Sequence, residues 1–137
     1  MSIIERGVSF LDVEATDAFA HLFQAMADRS RLSVLQHLSL GEHRVRDLVE
    51  HLDLAQSTVS KHIAFLGECG LVEARIDGRS TWYALAEPVS LGALIVAAER
   101  LLEATGSRYA LCAHLTAAGR SVEGASARQE DMHGNDA

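Results

Sequence analysis

The side chains of this chain best suited to chemistry are its two cysteines and seven histidines. Cys69 stands near the end of the segment LAQSTVSKHIAFLGECG, residues 54–70, and Cys112 lies two positions before His114 in the sequence LCAH. Two cysteines cannot build a disulfide framework, and free thiols in a reducing compartment are buried, bind metals or undergo redox reactions. Thiolate and imidazole together suit soft or borderline cations. Metal binding, redox chemistry and simple burial are therefore all open for these thiols.

The first half of the same segment is suited to contact with a polyanion. Between Leu54 and Gly67 the chain carries one lysine and no acidic residue. Gln pairs with adenine, Ser and Thr pair with base edges or phosphates, and Lys pairs with guanine or phosphate. A helix placed here in the major groove of DNA would use its N-terminal half. The predicted DNA contacts on it are Gln56, Ser57, Thr58, Ser60, Lys61 and His62.

The net charge of −7 argues against nucleic-acid binding only when it is taken over the whole chain. The excess of acidic over basic residues lies in residues 1–28 and after Ser121. Binding to phosphate depends on the local field of the contacting surface, which is free of acids in the segment described above. The overall acidity predicts weak nonspecific binding and sensitivity to salt.

Length and hydropathy predict one soluble domain. A chain of 137 residues is of the usual size for a single domain. No apolar run reaches the roughly 20 residues of a membrane span. The N-terminal sequence MSIIERGVSFLDVEATD lacks the basic start and apolar stretch of a secretory signal. We therefore expect a cytoplasmic protein without a membrane partner.

Apolar periodicity predicts four helices in the first half of the chain. They cover residues 17–27, residues 29–38, a short helix in HRVRDLVEHL, and a helix in STVSKHIAFLGECG with Ser57 as N-cap and Gly70 as C-cap. The last two helices are joined by a tight turn, which is the pattern of a helix-turn-helix.

A β-hairpin is predicted directly after these helices. LVEARID and STWYALA alternate apolar and polar residues around the turn sequence DGR. A hairpin in this position is a wing, and Arg75 and Arg79 beside its turn are predicted contacts to DNA phosphate or to the minor groove. The predicted fold class is mainly α with a β-hairpin wing, a winged helix-turn-helix.

The C-terminal part of the domain predicts a dimer. Pro88 opens a helix over about residues 89–104 whose apolar residues cover more than one face, and such a helix suits a seam shared with the first helix of a partner copy. The predicted boundaries are an N-terminal extension over 1–15, the winged domain with its dimerisation helices over 16–118, and a disordered acidic tail over 119–137.

Three stretches of this chain resemble the ArsR/SmtB family of bacterial winged-helix repressors. They are LFQAMADRSRLSVLQHL, RVRDLVEHLDLAQSTVSKHIAFLGECGLV and ARIDGRSTWYAL, which occur in the family's order and spacing over roughly residues 18–104. The resemblance implies a homodimer that binds double-stranded operator DNA and releases it when a metal ion or another inducer binds.

The known metal sites of that family can be compared with this sequence. The arsenic and cadmium type places two cysteines where this chain has Arg44 and Arg46, so that site is excluded. The zinc, cobalt and nickel type is also expected to be missing, because the last core helix starts with Glu87 and Val89 and carries no histidine.

The cadmium- and lead-sensing branch is the one most similar in pattern. It uses two thiols four residues apart on the recognition helix and one thiol in the C-terminal segment of the partner chain. Cys69 matches the second of these thiols, and Phe65 replaces the first. Cys112 stands at the place of the C-terminal thiol, and His114 is a possible replacement ligand. The resemblance thus implies Cd, Pb or Zn as inducer on Cys69, Cys112 and His114, with no organic cofactor.

Other functions remain open at this point. A redox- or persulfide-sensing repressor would use the same two thiols, although a cysteine at the C-terminal end of a helix faces the negative end of the dipole, which disfavours the thiolate. A winged-helix module that binds only proteins is a further alternative. An enzyme is not expected, because no phosphate-binding loop, nucleophile elbow or HExxH motif is present. His21, His37 and His51 are interpreted as surface or boundary residues on helices, and His43 as a loop residue.

Overall fold

The computed structural model describes residues 13–107, 111 and 115. Five helices and one two-stranded antiparallel sheet follow one another along the described chain, and the predicted fold class is confirmed. The elements are α1 (Val13–Met26), α2 (Arg29–Leu38), α3 (Val45–Leu52), α4 (Gln56–Glu68), β1 (Val72–Asp77), β2 (Ser80–Leu85) and α5 (Pro88–Ala104). Most of the predicted N-terminal extension and the whole predicted tail over 119–137 lie outside the described residues, so these boundaries stay predictions.

The start of α4 differs from the sequence prediction. The helix begins at Gln56, and Ala55 occupies the N-cap position with an extended backbone and no side-chain hydrogen bond. Ser57, the predicted N-cap, therefore lies within the first turn. The difference arises from the turn after α3. Asp53 begins this turn in a left-handed conformation with φ 52°, and the turn ends at Ala55. Ala55 offers no side-chain acceptor to the first-turn N–H groups of α4, and N–H groups without such a cap favour an anion.

The end of α4 is a Schellman motif centred on Gly70. Gly70 has φ 75°, its N–H donates to the Gly67 carbonyl at 3.1 Å, and the Leu71 N–H donates to the Leu66 carbonyl at 3.0 Å. Glycine is favoured here because it takes a positive φ without steric cost. Gly70, the predicted C-cap, therefore lies one residue after the C-cap, which is Cys69, and ends the helix from that position.

The wing is a tight hairpin. Val72 pairs with Leu85 at its base and Asp77 pairs with Ser80 at its tip. Gly78 has φ 60° and the next residue does not have a positive φ, which is the pattern of a type II′ turn. His43 pairs with β2 as an isolated antiparallel bridge. Its N–H donates to the Tyr83 carbonyl at 3.0 Å, and its carbonyl accepts from the Tyr83 N–H at 2.8 Å.

One apolar core connects the helices and the base of the wing. Its most deeply buried large side chains are Leu35, Leu48, Leu66, Leu115, Val34 and Val59. These residues come from α2, α3, α4 and the segment after α5. The core thus holds the helix-turn-helix between α2 and the wing, which sets the direction in which α4 presents its outer face.

The chain turns back after α5. The helix ends with Gly106 at φ 92°, and the Ser107 N–H donates to the Leu102 carbonyl at 2.8 Å. Leu111 then donates its N–H to the Glu99 carboxylate at 3.1 Å, which places it beside α5. Among the described residues, no helix combines the length and apolar character needed to cross a bilayer.

Candidate nucleic-acid interface and thiol site

The outer face of α4 is polar because its inner face is committed to the core. Val59, Ile63 and Leu66 are buried at helical spacing and hold the helix against α2 and α3. On the opposite side of the helix the exposed residues include Gln56, Ser57, Ser60 and Lys61, while Thr58 is half-buried. Of the six DNA contacts predicted on this helix, four therefore share one exposed surface, which we call the α4 front (Gln56, Ser57, Ser60 and Lys61).

His62 lies differently from the α4 front. Its side chain is 16% exposed, and its Nε2 atom is 3.8 Å from the Oδ2 atom of Asp28. Asp28 also caps α2, accepting a hydrogen bond from the Arg31 N–H at 2.9 Å. That backbone bond is the main reason why the pKa of Asp28 is lowered. The structure therefore places His62 between α4 and the start of α2, where it contacts protein.

The two arginines of the wing are in different environments. The Arg75 guanidinium donates to both carboxylate oxygens of Glu42, at 3.0 and 2.7 Å, and lies 3.9 Å from Asp77. The hydrogen bonds from Arg75 lower the pKa of Glu42 and raise that of Arg75 itself. Arg79 is exposed at the hairpin tip, with no ion pair to the described residues. Arg79 is thus available for an external phosphate, whereas Arg75 already has carboxylate partners.

Arg44 fastens α3 to the wing. Its guanidinium donates to both oxygens of Asp47, each at 3.0 Å, and its Cζ atom lies 4.7 Å from the centre of the Trp82 ring on β2. The bidentate bond lowers the pKa of Asp47, and the Arg44 backbone N–H lowers it further. One of the two arginines that replace the family's thiol pair is therefore a structural residue that joins two elements.

Cys69 has a neighbour that the sequence prediction did not include. Its Sγ atom is 3.5 Å from the Nε2 atom of His21 on α1, and the thiol is half-buried. Burial raises the pKa of Cys69, the nearby Glu68 carboxylate raises it further, and Arg31 offsets part of the increase. A thiol in this state is protonated near neutral pH and needs a cation to become a thiolate.

Phe65 organises the surroundings of this thiol. The His21 ring meets the Phe65 ring edge to face at a centroid distance of 5.7 Å, and the Arg31 guanidinium lies 4.8 Å from the centre of that ring. Arg31 in turn donates to the Ala25 and Gln24 carbonyls, both at 2.7 Å, which satisfies the end of α1. The aromatic residue at the position of the family's first thiol therefore brings an imidazole next to Cys69.

Cys69 and His21 fit two ligands of one metal ion. A tetrahedral ion with Zn–S and Zn–N bonds of about 2.3 and 2.0 Å holds its sulfur and nitrogen ligands about 3.5 Å apart. The Sγ to Nε2 distance of 3.5 Å, which is a hydrogen-bond contact here, equals this ligand separation. Cys112 and His114, the other predicted ligands, lie outside the described residues. Within the described part of the chain, no group of three or more His, Cys, Asp or Glu side chains forms a ready metal site.

The sequence contained little that could have identified His21 as a neighbour of Cys69. The two residues are 48 positions apart, and His21 was interpreted as a surface residue because it lies on a helix with apolar neighbours. The only relevant signal is the aromatic substitution at Phe65, which removes a thiol from a position that faces α1.

The fold and the α4 front define a winged helix-turn-helix protein. The family model described as "Bacterial regulatory protein, arsR family" matches residues 28–74, from the cap of α2 to the first half of β1. HlyU from Vibrio cholerae N16961 has a similar solved structure, with 32% identity and a TM-score of 0.56 over 65% of this chain and 96% of that chain. The chain belongs to the arsR family, whose members are regulatory proteins and not enzymes.

Two further relatives describe the range of this similarity. The chain is 40% identical over 72 residues to the probable mercury resistance operon repressor of Streptomyces lividans, an alignment that covers 53% of this chain and 58% of the relative. The homodimeric winged helix-turn-helix DNA-binding domain Mb0332 from Mycobacterium bovis is 32% identical and has a TM-score of 0.51 over 55% of this chain and 71% of that domain. The chain thus spans somewhat more than half of the length of the mercury repressor.

Proposed function

We propose that this protein is a homodimeric, DNA-binding transcriptional repressor that releases its operator when a thiophilic metal ion binds. The observation that carries the proposal is the α4 front, an acid-free polar surface on the second helix of a helix-turn-helix beside an exposed wing tip. In this docking geometry the second helix enters the major groove, and the wing reaches the flanking backbone. The repressor name of the mercury relative and the DNA-binding description of the Mb0332 domain support the same function.

The DNA contacts have different roles in this proposal. Gln56, Ser57 and Ser60 meet base edges or phosphates, and Lys61 meets guanine or phosphate. Arg79 contacts the phosphate backbone from the wing tip. Thr58 and His62 support the helix from its half-buried side, and Arg75 anchors the middle of β1 through Glu42.

The dimer is proposed to form through α1 and α5. Phe19 and Phe23 on α1 and Leu101 on α5 are each more than half exposed, at 51, 52 and 67%. Large apolar side chains exposed together on two helices are typical of an association surface. An apolar cavity of about 380 Å³ between α1, α2 and α5 adds to the surface that a partner copy would cover. The homodimeric state of the Mb0332 domain agrees with this arrangement.

The proposed inducer is Cd, Pb or Zn. Cys69 and His21 supply a thiolate and an imidazole at the spacing of two ligands, and Cys112 and His114 are the proposed remaining ligands. Soft sulfur and borderline nitrogen donors select this class of cation. Recruitment of Cys112 and His114 to an ion held by Cys69 and His21 would displace the C-terminal end of α4. Because α4 is one continuous helix, the same displacement turns the α4 front relative to the groove.

An oxidation-sensing repressor is the alternative within the same fold. The raised pKa of Cys69 disfavours it, because oxidants attack the thiolate and burial with Glu68 keeps the thiol protonated. A metal ion avoids this difficulty, since it displaces the proton as it binds.

The test is a titration in which reduced protein is added to fluorescently labelled DNA taken from upstream of the chain's own gene. Fluorescence anisotropy measures the binding. We expect saturable, sequence-specific binding that is reversed by Cd, Pb or Zn, together with thiolate-to-metal absorption in the ultraviolet. Cys69→Ser should retain DNA binding and lose the response to metal. Absence of specific binding would refute the repressor and favour a protein-binding module. Specific binding that metals do not change, but mild oxidation abolishes, would refute the metal and favour redox sensing.

A further inference from the structure

Three histidines from α2, α3 and the segment between them form one cluster that includes no residue of the Cys69 site. His37 lies in the last turn of α2, and His51 lies in the last turn of α3. His43 precedes α3 and forms an isolated bridge with Tyr83 of β2. The distances between their ring centroids are 6.3 Å for His37 and His43, 5.6 Å for His37 and His51, and 5.7 Å for His43 and His51. We call these residues the histidine cluster.

Two of the three rings are held in the tautomer that a metal requires. The Nδ1 atom of His37 is 3.0 Å from the Ser33 carbonyl, and the Nδ1 atom of His43 is 2.8 Å from the Gly41 carbonyl. A carbonyl oxygen only accepts hydrogen bonds, so each Nδ1 must carry the proton. Each Nε2 then keeps its lone pair in the neutral ring. Backbone carbonyls orient metal-binding histidines in this same way.

The third ring is free to adjust. His51 is exposed and its ring makes no hydrogen bond to the described residues. On a tetrahedral ion with Zn–N bonds near 2.0 Å, the centroids of two imidazole rings lie about 5 Å apart. The observed separations of 5.6, 5.7 and 6.3 Å are all larger than this value, most of all for His37 and His43. The three rings do not form a ready metal site among the described residues. Rotation of the exposed His51 side chain, with a small approach of His37 and His43, is the movement that would bring their nitrogen atoms together.

We infer that the histidine cluster is a second cation site, which binds a borderline divalent ion such as Zn²⁺, Co²⁺ or Ni²⁺ through three imidazoles and water. Three neutral nitrogen donors without a thiolate favour these ions over Cd or Pb. The site shares no residue with Cys69 and His21, so it does not depend on the proposed inducer site.

An ion at this place would have a mechanical consequence. His37 belongs to α2 and His51 to α3, and His43 pairs with Tyr83 of the wing. A shared ion would fasten these elements to one another, and none of its three ligands belongs to the α4 front. We therefore expect it to stabilise the folded domain, because a ligand that binds only the folded state shifts the unfolding equilibrium.

The experiment uses the full chain without an affinity tag, with Cys69→Ser and Cys112→Ser to remove every thiol ligand. Isothermal titration with Zn²⁺ should show one ion per chain, and Co²⁺ should give visible d–d absorption without thiolate charge transfer. His51→Gln should weaken binding by about tenfold or more, the scale at which the loss of even an outer partner is felt. His21→Gln in the same background is the matched control and should bind like its parent.

A second measurement separates a lost ligand from a damaged fold. Circular dichroism should show equal helix content in all variants, and the same concentration of Zn²⁺ should raise the melting temperature of the thiol-free parent by more than that of its His51→Gln form. The inference is wrong if the thiol-free parent shows no saturable binding, or if His51→Gln and His21→Gln have the same affinity for Zn²⁺.

Discussion

Replacement of Lys61 by alanine is expected to change the salt dependence of operator binding in a calculable way. Lys61 is exposed on the α4 front and has no ion pair to the described residues, so its ammonium is available for a phosphate. Each phosphate contact contributes about −0.9 to the slope of log K against log salt concentration. A homodimer loses two such contacts, and the slope should therefore become less steep by about 1.8.

This change in slope sets the change in affinity. Between 50 and 200 mM salt, a difference of about 1.8 in slope corresponds to a factor of about twelve. The affinity ratio of wild type to Lys61→Ala should thus be about twelvefold larger at the lower salt concentration than at the higher one. Deletion of a base contact would instead weaken binding by a factor that varies little with salt.

The assay is fluorescence anisotropy at several salt concentrations, with the operator and an unrelated DNA of equal length. Lys61→Arg is the matched control, because it keeps the charge at the same place and should keep the wild-type slope. An unchanged slope for Lys61→Ala, or an equal loss for Lys61→Arg, would show that Lys61 does not contact phosphate and that the proposed orientation of α4 is wrong.

Three further predictions follow from the packing and electrostatics. Leu66→Ala should lower the free energy of unfolding by about 2 to 5 kcal/mol, because removal of a fully buried leucine side chain leaves a cavity. Urea denaturation at fixed protein concentration measures this free energy. A loss below about 1 kcal/mol would contradict the core assignment. Arg44→Ala should shift acid unfolding to higher pH and change the fluorescence of Trp82, the single tryptophan. The lowered pKa of Asp47 stabilises the fold above the ordinary aspartate value of about 3.9 and this stability is lost as pH falls, so an unchanged acid midpoint would contradict the role of the pair. In a Cys112→Ser background, the alkylation rate of Cys69 should be low at neutral pH and should increase only at a higher pH than for an ordinary thiol. Glu68→Gln should lower the pH at which the rate increases. The pH profile of an ordinary thiol would contradict the buried, protonated state.

The order of elements was predictable because each depends on local pattern. Helices α2 and α3, the hairpin around Gly78 and the end of α4 at Gly70 each follow from apolar periodicity or from a residue that tolerates positive φ. The N-cap of α4 was predicted wrongly at Ser57. A helix start is less well determined by sequence when the preceding turn, rather than a side chain, fixes the backbone.

Side-chain environments within one predicted surface were not predictable. Arg75 and Arg79 were both predicted as DNA contacts near the hairpin turn, yet Arg75 meets Glu42, which lies 33 positions earlier. His62 belongs to the same polar stretch as Lys61 but faces Asp28. Both differences depend on which neighbouring element approaches the side chain, and local periodicity contains no information about that.

The sequence by itself determined a winged helix-turn-helix with an acid-free recognition face, because binary pattern and turn residues act over a few positions. Only the tertiary structure decided the partners of the titratable groups. It placed His21 of α1 against Cys69 of α4, and it gathered three histidines from α2, α3 and the wing bridge into one cluster. Such pairs form where helix packing brings distant residues within a few ångströms, and their chemistry depends on distances that spacing along the chain does not contain.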